Sequence, residues 1–229
     1  MNDARNATER KHLSARFDTE LQELKGRVLR MGQVVDAQVT AAVDAFVRRD
    51  AAAASGVMAG DHEVNGQERE IDERCVRLLA LQQPVASDLR FIAAVLKIVT
   101  DLERIGDLAV SIAEQVASLD YLPLRPEQDL IALADAALTV LRSALAAFVQ
   151  RNMGEASLTE ADEPIKAWVL KLGSEIRDSI RDSPKSLQNA LAILLVIKHV
   201  ERVAQHATNL AEMAVYTERG EDIRHSVTR

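Results

Sequence analysis

The sequence of 229 residues has little of what β-rich and disulfide-bonded proteins need. Aromatic residues make up 3% of the chain, and there are nine glycines, five prolines and one cysteine. Strands favour aromatic and β-branched residues, whereas alanine, leucine, glutamate and arginine, which recur here, favour helices. We therefore predict an all-α protein.

Two further absences concern the compartment. The single cysteine, Cys75, cannot form an intramolecular disulfide, and we expect it to be a small buried apolar group. The first 14 residues are polar and lack the apolar core of a signal peptide, and the longest wholly apolar run, residues 190–197, is far shorter than the roughly 20 residues that span a bilayer. We expect a cytoplasmic protein that reaches a membrane only through partners.

The charge balance argues against a nucleic-acid partner. The net charge is −7, and the arginines are interleaved with acids, whereas phosphate backbones are bound by clustered lysine and arginine. The sequence also lacks the glycine-rich loop G-x-x-x-x-G-K-S/T that holds nucleotide phosphates. We predict that the chain does not bind nucleic acid and does not hydrolyse nucleotides.

Breaker residues divide the chain into six predicted helices of 25 to 35 residues each. The predicted breaks lie at residues 50–56, Pro84, residues 119–126, 151–154 and 182–184. In the last of these, Ser183 and Pro184 are suited to be the N-cap and first residue of the sixth helix. Helices of this length are typical of bundles.

The two halves of the chain resemble each other. A shift of 98 residues places Glu103-Arg104 on Glu201-Arg202. Under the same shift four more positions match: Leu89, Leu96, Ala109 and Glu114 meet Leu187, Leu194, Ala207 and Glu212. The repeat predicts two tandem three-helix bundles, residues 1–120 and 121–229, joined at residues 119–126.

The stretch DLERIGDLA, residues 101–109, places acids in an apolar helix. Glu103 and Asp107 lie on the face that carries Leu96 and Leu89, whereas ordinary solubilising charges would lie opposite. Asp101 and Arg104 are on that opposite face, where we expect water. Between the two acids, Gly106 would let a neighbouring helix or a ligand approach.

The preceding helix has a matching face. Its polar residues follow the spacing i, i+4, i+7, i+11: Asp61, Asn65, Glu68 and Asp72. Because Pro84 makes the connection short, we expect the second and third helices to pack antiparallel and the two acidic faces to meet. Such carboxylates repel one another unless something positive lies between them.

Three partners could relieve this repulsion. Salt bridges could form with three nearby arginines: Arg69, Arg74 and Arg104. Water could solvate an open groove. A divalent or trivalent cation could bind, and an all-oxygen set of ligands suits magnesium, calcium, manganese or iron better than zinc or copper.

The second half has a poorer acidic face. Gln205 stands where Asp107 stands in the first half, and Lys166 would repel a cation. We therefore expect a weak or missing metal site there. We interpret the nearby His199 and His206 as hydrogen-bonded packing residues.

Residues 78–114 and 199–212 resemble the two signature regions of the PhoU family, and the resemblance extends from residue 12 to residue 220. It implies two similar three-helix bundles, a homodimer, and negative regulation of phosphate uptake and of the phosphate-starvation response. The resemblance further implies a signalling adaptor that is not an enzyme. Its implied partners are the ATPase of the high-affinity phosphate ABC transporter and a membrane-bound phosphate-sensing histidine kinase.

The resemblance also implies a metal site, since several PhoU proteins hold clusters through an acid, three residues and then Asp. Glu103 and Asp107 match that motif, and Asp61, Glu68 and Asp72 are further candidate ligands. Where the second family motif has Gly-Asp-His, this chain has Ala-Gln-His at residues 204–206, so a full second cluster is not expected.

Three other functions stay open at this point. A carboxylate-bridged di-metal oxidase needs two Glu-x-x-His pairs, and the sequence contains one, Glu9 to His12. An accessory role for a different phosphate carrier would suit the same resemblance. The third alternative is a helical scaffold whose acids bind no metal.

Overall fold

The computed structural model describes residues 2–119, 127–150, 162–183, 185 and 187–220, and within these ranges the side chains from residue 16 onward except those of residues 127, 150, 162 and 163. The described residues form six α-helices and one short 3-10 helix, with no strand among them. The bounds are α1 Asn2–Arg48, α2 Ala51–Gln82, α3 Ala86–Glu114, the 3-10 turn Gln115–Ser118, α4 Glu127–Gln150, α5 Asp162–Asp182 and α6 Leu187–Arg219. The predicted all-α class and six helices are confirmed.

The first predicted break is wrong in position. Residues 51–56 belong to α2, and Asp50 is its N-cap, since the Asp50 carboxylate accepts hydrogen bonds from the backbone N–H groups of Ala52 and Ala53, both at 2.9 Å. The alanines that loosened the apolar pattern are the strongest helix formers, so the helix starts as soon as it is capped.

Helix lengths also depart from the predicted range. The first helix has 47 residues and α5 has 21. The break at Pro84 is confirmed, because α2 ends at Gln82 and Gln83 takes a left-handed conformation with φ 45°. Of the predicted break at residues 119–126 only Leu119 is described, directly after the 3-10 turn, and α5 ends at Asp182, where the predicted break at 182–184 begins. Residues 120–126, Pro184, the break at 151–154 and the predicted boundary between the halves lie outside the described residues.

The helices form two bundles that share one core. Helices α1 to α3 pack together, as do α4 to α6, and the two sets meet where α3 packs on α6 and α1 on α4. At this junction the rings of Phe91 and Phe148 stack with centroids 5.2 Å apart. Arg142 on α4 donates two hydrogen bonds to the Asp36 carboxylate on α1, at 2.5 and 2.9 Å.

A glycine on α1 sets how close α4 can come. A Cβ atom added at Gly32 would lie 2.4 Å from Cδ1 of Leu145, which is closer than real Cβ contacts allow. The missing side chain therefore lets the two bundles interdigitate at this point.

Within the described residues, one segment, Gln128–Val149, is long and apolar enough to cross a membrane by length and composition. It occupies most of α4, and it includes Arg142, which is paired with α1. Its apolar residues also contribute to the shared core, with Leu133, Leu138 and Leu141 buried. These are the contacts of a core helix.

Candidate metal centre on the first bundle

The two acids of α3 lie at the edge of the first bundle. The Glu103 side chain is 16% exposed and that of Asp107 is 43% exposed. Arg104 is exposed, as predicted, and its guanidinium reaches both, at 3.4 Å from a Glu103 oxygen and 3.0 Å from an Asp107 oxygen. One of the three predicted arginine partners is therefore in place on the outer side of the pair.

The other two arginines make different contacts. Arg74 pairs with Glu23 of α1 at 3.2 Å, and Arg69 donates to the backbone carbonyl of Asn65 at 3.2 Å. Neither is seen in a hydrogen bond to the acidic face of α2. Salt bridges among the described residues therefore satisfy only part of the cluster.

On α2, the three predicted carboxylates are half-buried: Asp61, Glu68 and Asp72. One oxygen of Asp61 accepts a hydrogen bond from the Asn65 amide at 2.8 Å. The other oxygen, Oδ1, is buried and has no hydrogen-bond partner in the described structure. A buried acceptor without a partner loses its hydrogen bonds to water and gains none within the protein, which is unfavourable.

Helices α2 and α3 pack together, and the acids on their two faces act on one another's pKa values. Burial raises the pKa of Glu103, and the charges of Asp107, Glu68 and Asp61 raise it further, against the opposing effect of Arg104. Burial likewise raises the pKa of Glu68, and two of the charges that add to the shift are those of Asp72 and Asp107. These acids therefore disfavour one another's ionised forms across the helix interface.

The causes of the pKa shifts distinguish Asp72 from the other four predicted ligands. The pKa of Asp72 is raised by burial, and no charge from α3 contributes to its shift. The charge of Asp72 contributes to the raised pKa of Glu68 on the same helix. Four of the predicted residues form the interface between the helices: Asp61, Glu68, Glu103 and Asp107.

Side chains of two other helices, α1 and α2, lie next to Gly106. A Cβ atom added there would lie 3.3 Å from Cγ1 of Val64 on α2 and 3.5 Å from Oε1 of Gln38 on α1. The expected close approach of a neighbouring helix at this glycine is found. Sequence reasoning missed Gln38, although it follows Val35 by three residues and Met31 by seven on the buried face of α1.

The chemistry of this donor set fits an oxygen-preferring cation. Two buried oxygens, Asp61 Oδ1 and Gln38 Oε1, have no hydrogen-bond partner in the described structure. Among the residues with described side chains, no three Asp, Glu, His or Cys groups already converge at metal-ligand distances. A cation would have to draw the carboxylates closer together, and its charge would offset the repulsion among them. That these five residues are metal ligands stays a prediction.

The second bundle has no equivalent cluster among its described side chains. The Glu201 carboxylate pairs with Lys198 at 2.5 Å on the same helix. Gln205 and Lys166 are exposed. Glu201 is therefore neutralised by a lysine of its own helix and does not face a cluster of acids.

The two histidines lie where α6 packs on α3. The Nδ1 atom of His206 lies 2.8 Å from an Asp101 carboxylate oxygen, so His206 is hydrogen-bonded as predicted. Asp101 is only 18% exposed, and the prediction that it faces water is wrong because α6 covers that side of α3.

His199 differs from the prediction. Its Nδ1 atom is buried without a hydrogen-bond partner in the described structure. Burial lowers the pKa of His199 and the charge of Arg202 lowers it further, while Glu114 opposes the shift. His199 is therefore a packing residue, but not a hydrogen-bonded one through that atom.

Comparison with known proteins decides the family. The sequence model of the PhoU domain matches twice, at residues 28–116 and 130–214. The chain belongs to the PhoU family. The two matches confirm the internal duplication, while the exact boundary at residue 120 stays a prediction.

Relatives cover nearly the whole chain. The "phosphate-specific transport system accessory protein PhoU homolog" of Pseudomonas putida is 36% identical in an alignment of 223 residues that covers 93% of this chain and 85% of the relative. The corresponding protein of Serratia marcescens is 32% identical over 94% of this chain and 89% of its own length.

Solved PhoU structures share the fold. The phosphate transport system regulatory protein PhoU of Streptococcus pneumoniae superposes with a TM-score of 0.82 at 33% identity, covering 90% of this chain and 98% of the other. PhoU of Pseudomonas aeruginosa gives the same score and identity and is covered completely. PhoU proteins are regulatory accessory proteins, so the prediction that the chain is not an enzyme is confirmed and the oxidase alternative is dropped.

Proposed function

We propose that this chain is an accessory protein of phosphate transport that represses phosphate uptake and the phosphate-starvation response. In this proposal it acts in the cytoplasm, as a homodimer, by contact with the ATPase of a phosphate ABC transporter and with a phosphate-sensing histidine kinase. The observation that carries the proposal is the PhoU match in both halves, together with relatives named as phosphate-specific transport accessory proteins over most of their length.

Exposed apolar residues support a role through protein contacts. Leu187, Leu191 and Leu195 recur every four residues and so share one face of α6, where they are 48%, 53% and 48% exposed. At the turn between α2 and α3, Leu81 and Val85 are 72% and 74% exposed. Apolar surface grouped in this way is typical of sites that partners cover.

The acidic cluster adds a second part to the proposal. Glu103 and Asp107 of α3, with Asp61, Glu68 and Asp72 of α2, would hold a carboxylate-bound cation such as iron, manganese or magnesium. The unpartnered Asp61 oxygen and the raised pKa values of Glu68 and Glu103 support this assignment. When bound, the cation would supply positive charge that holds α2 against α3. The regulatory surface formed by these two helices would then be fixed.

The test is a phosphate-starvation reporter in phosphate-replete cells. Deletion of the natural gene should switch the reporter on, and a plasmid copy should silence it. The double variant Glu103→Ala/Asp107→Ala should fail to silence it, while the control Glu201→Ala/Gln205→Ala in the second bundle should succeed.

Each result has a definite meaning. An unchanged reporter after deletion contradicts the repressor role and favours an accessory role for a different phosphate carrier. If both variants silence the reporter, the repressor role stands and the acidic cluster is not needed for it.

A further inference from the structure

The centre of the first bundle contains a polar side chain whose role the acidic cluster does not by itself explain. Gln38 of α1 points between two glycines, one on each neighbouring helix. Its Nε2 atom lies 3.4 Å from the position of a Cβ at Gly60, and its Oε1 atom lies 3.5 Å from that of a Cβ at Gly106. The carboxamide therefore lies beside both glycines, at the distance of an ordinary van der Waals contact from a Cβ at either position.

These two glycines immediately precede two of the candidate ligands. Asp61 follows Gly60 on α2, and Asp107 follows Gly106 on α3. The amide of Gln38 thus reaches from α1 to the backbone at the start of both acidic faces. A ligand held between α2 and α3 at this level has Gln38 on its third side.

The unsatisfied atoms at this level are all acceptors. Gln38 Oε1 and Asp61 Oδ1 are buried without a hydrogen-bond partner in the described structure. The Arg104 guanidinium is exposed and already paired with Glu103 and Asp107. Buried oxygen lone pairs without a donor are suited to a cation.

We propose that Gln38 is a ligand of the cation at this centre, contributing a neutral amide oxygen from α1 beside the carboxylates of α2 and α3. The inference rests on the cation site of the proposed function and deepens it. All three helices of the first bundle would then be bound to one ion. A neutral oxygen adds a ligand without adding to the repulsion among the acids.

The experiment measures Mn²⁺ binding to the tag-free full-length chain by the electron paramagnetic resonance signal of the free ion. Gln38→Met keeps the length of the side chain and removes the oxygen, and we expect about tenfold weaker binding. Gln38→Glu restores an oxygen, and it should bind Mn²⁺ at least as tightly as the natural chain. Gln33→Met, at an exposed position of the same helix, should bind as the natural chain does.

Thermal unfolding without metal separates ligation from folding. Gln38→Met should melt at or above the temperature of the natural chain, because an apolar group replaces a buried acceptor without a partner. Weak Mn²⁺ binding by a variant that folds normally then supports a lost ligand.

Three outcomes overturn the proposal, and they differ from one another. Unchanged affinity in Gln38→Met shows that the amide oxygen is not a ligand, while the carboxylate site stands. Equal weakening in Gln38→Met and Gln38→Glu assigns Gln38 to packing alone. No Mn²⁺ binding by the natural chain removes the cation site and the role of Gln38 together, and leaves the phosphate-regulatory role to be judged by the reporter.

Discussion

The two bundles have the same frame but different charges. Glu103 and Glu201 occupy corresponding positions on α3 and α6, and both are largely buried, at 16% and 21% exposed. Glu201 has a lysine of its own helix at 2.5 Å. Glu103 instead faces the acids of α2, and their charges raise its pKa. The same helical frame thus accommodates either a neutralised acid or a repelling cluster.

This difference shows that the acidic cluster is not a by-product of the fold. The second bundle packs its α6 helix against the rest of the core with no such cluster among its described side chains. In the first bundle the ionised acids work against folding, since their raised pKa values mean that the folded state disfavours the charged forms. Local features that oppose stability are typical of functional sites.

The largest expected effect is on bound metal. Glu103→Ala/Asp107→Ala should remove nearly all metal from tag-free protein, while Glu201→Ala/Gln205→Ala should leave it unchanged, because only the first pair faces a second acidic helix. Mass spectrometry of metals in purified protein is the measurement.

Urea unfolding of the same proteins completes this test. Without metal, the first variant should be as stable as the natural chain or more so, because two repelling carboxylates are gone. Equal metal content in all three proteins would remove the distinction between the bundles.

A second prediction concerns the contact that joins the bundles. Gly32→Ala should lower the free energy of unfolding by about 1 kcal/mol, because overpacking against Leu145 costs about 1–3 kcal/mol and the better helix propensity of alanine returns about 1 kcal/mol. Urea unfolding measures the change.

The matched control is Gly56→Ala on α2. Nothing lies within 4 Å of a Cβ at Gly56, so this change should stabilise the protein by about 0.5–1 kcal/mol. If both variants were stabilised alike, α1 and α4 would not be in close contact at Gly32.

The smallest effect is a dependence of stability on pH from His199 in the second bundle. Its pKa in the folded protein is lowered, chiefly by burial, so the unfolded chain binds its proton more readily. The stabilisation is complete above the ordinary histidine pKa of about 6.5 and is lost as the pH falls through the folded value.

The variant His199→Gln should therefore lose this part of the pH dependence. Urea unfolding at pH 7.5 and 5.5 should show a smaller decline in stability for the variant than for the natural chain. Gln205→Ala, an exposed neutral change on the same helix, should decline as the natural chain does. Equal declines in all three proteins would mean that protonation of His199 is not coupled to folding.

Much of the architecture could be predicted from local patterns. Composition, the break at Pro84 and the 98-residue repeat predicted the class, the helix count and the duplication, because helix propensity and turn formation depend on neighbouring residues. The break at residues 50–56 was misplaced, since the alanines there dilute the apolar pattern without weakening the helix. The single Asp50 cap decides where α2 begins.

Contacts between distant residues could not be predicted in this way. Asp101 was assigned to the water-facing side of α3, and the structure places it against His206, 105 residues away. Gln38 carried a detectable signal in its buried position on α1, but its neighbours at Gly60 and Gly106 come from two other helices.

The sequence by itself determined the helices, their repetition and the alignment of acids on one face of α2 and one face of α3, because these depend on spacing of three and four residues along one chain. The tertiary structure decided that the acids of α2 and α3 act on one another, that the Gln38 amide lies beside Gly60 and Gly106, and that α6 covers Asp101. The physical reason is that repulsion, burial and missing hydrogen-bond partners are properties of groups brought together by packing, and packing depends on the whole core.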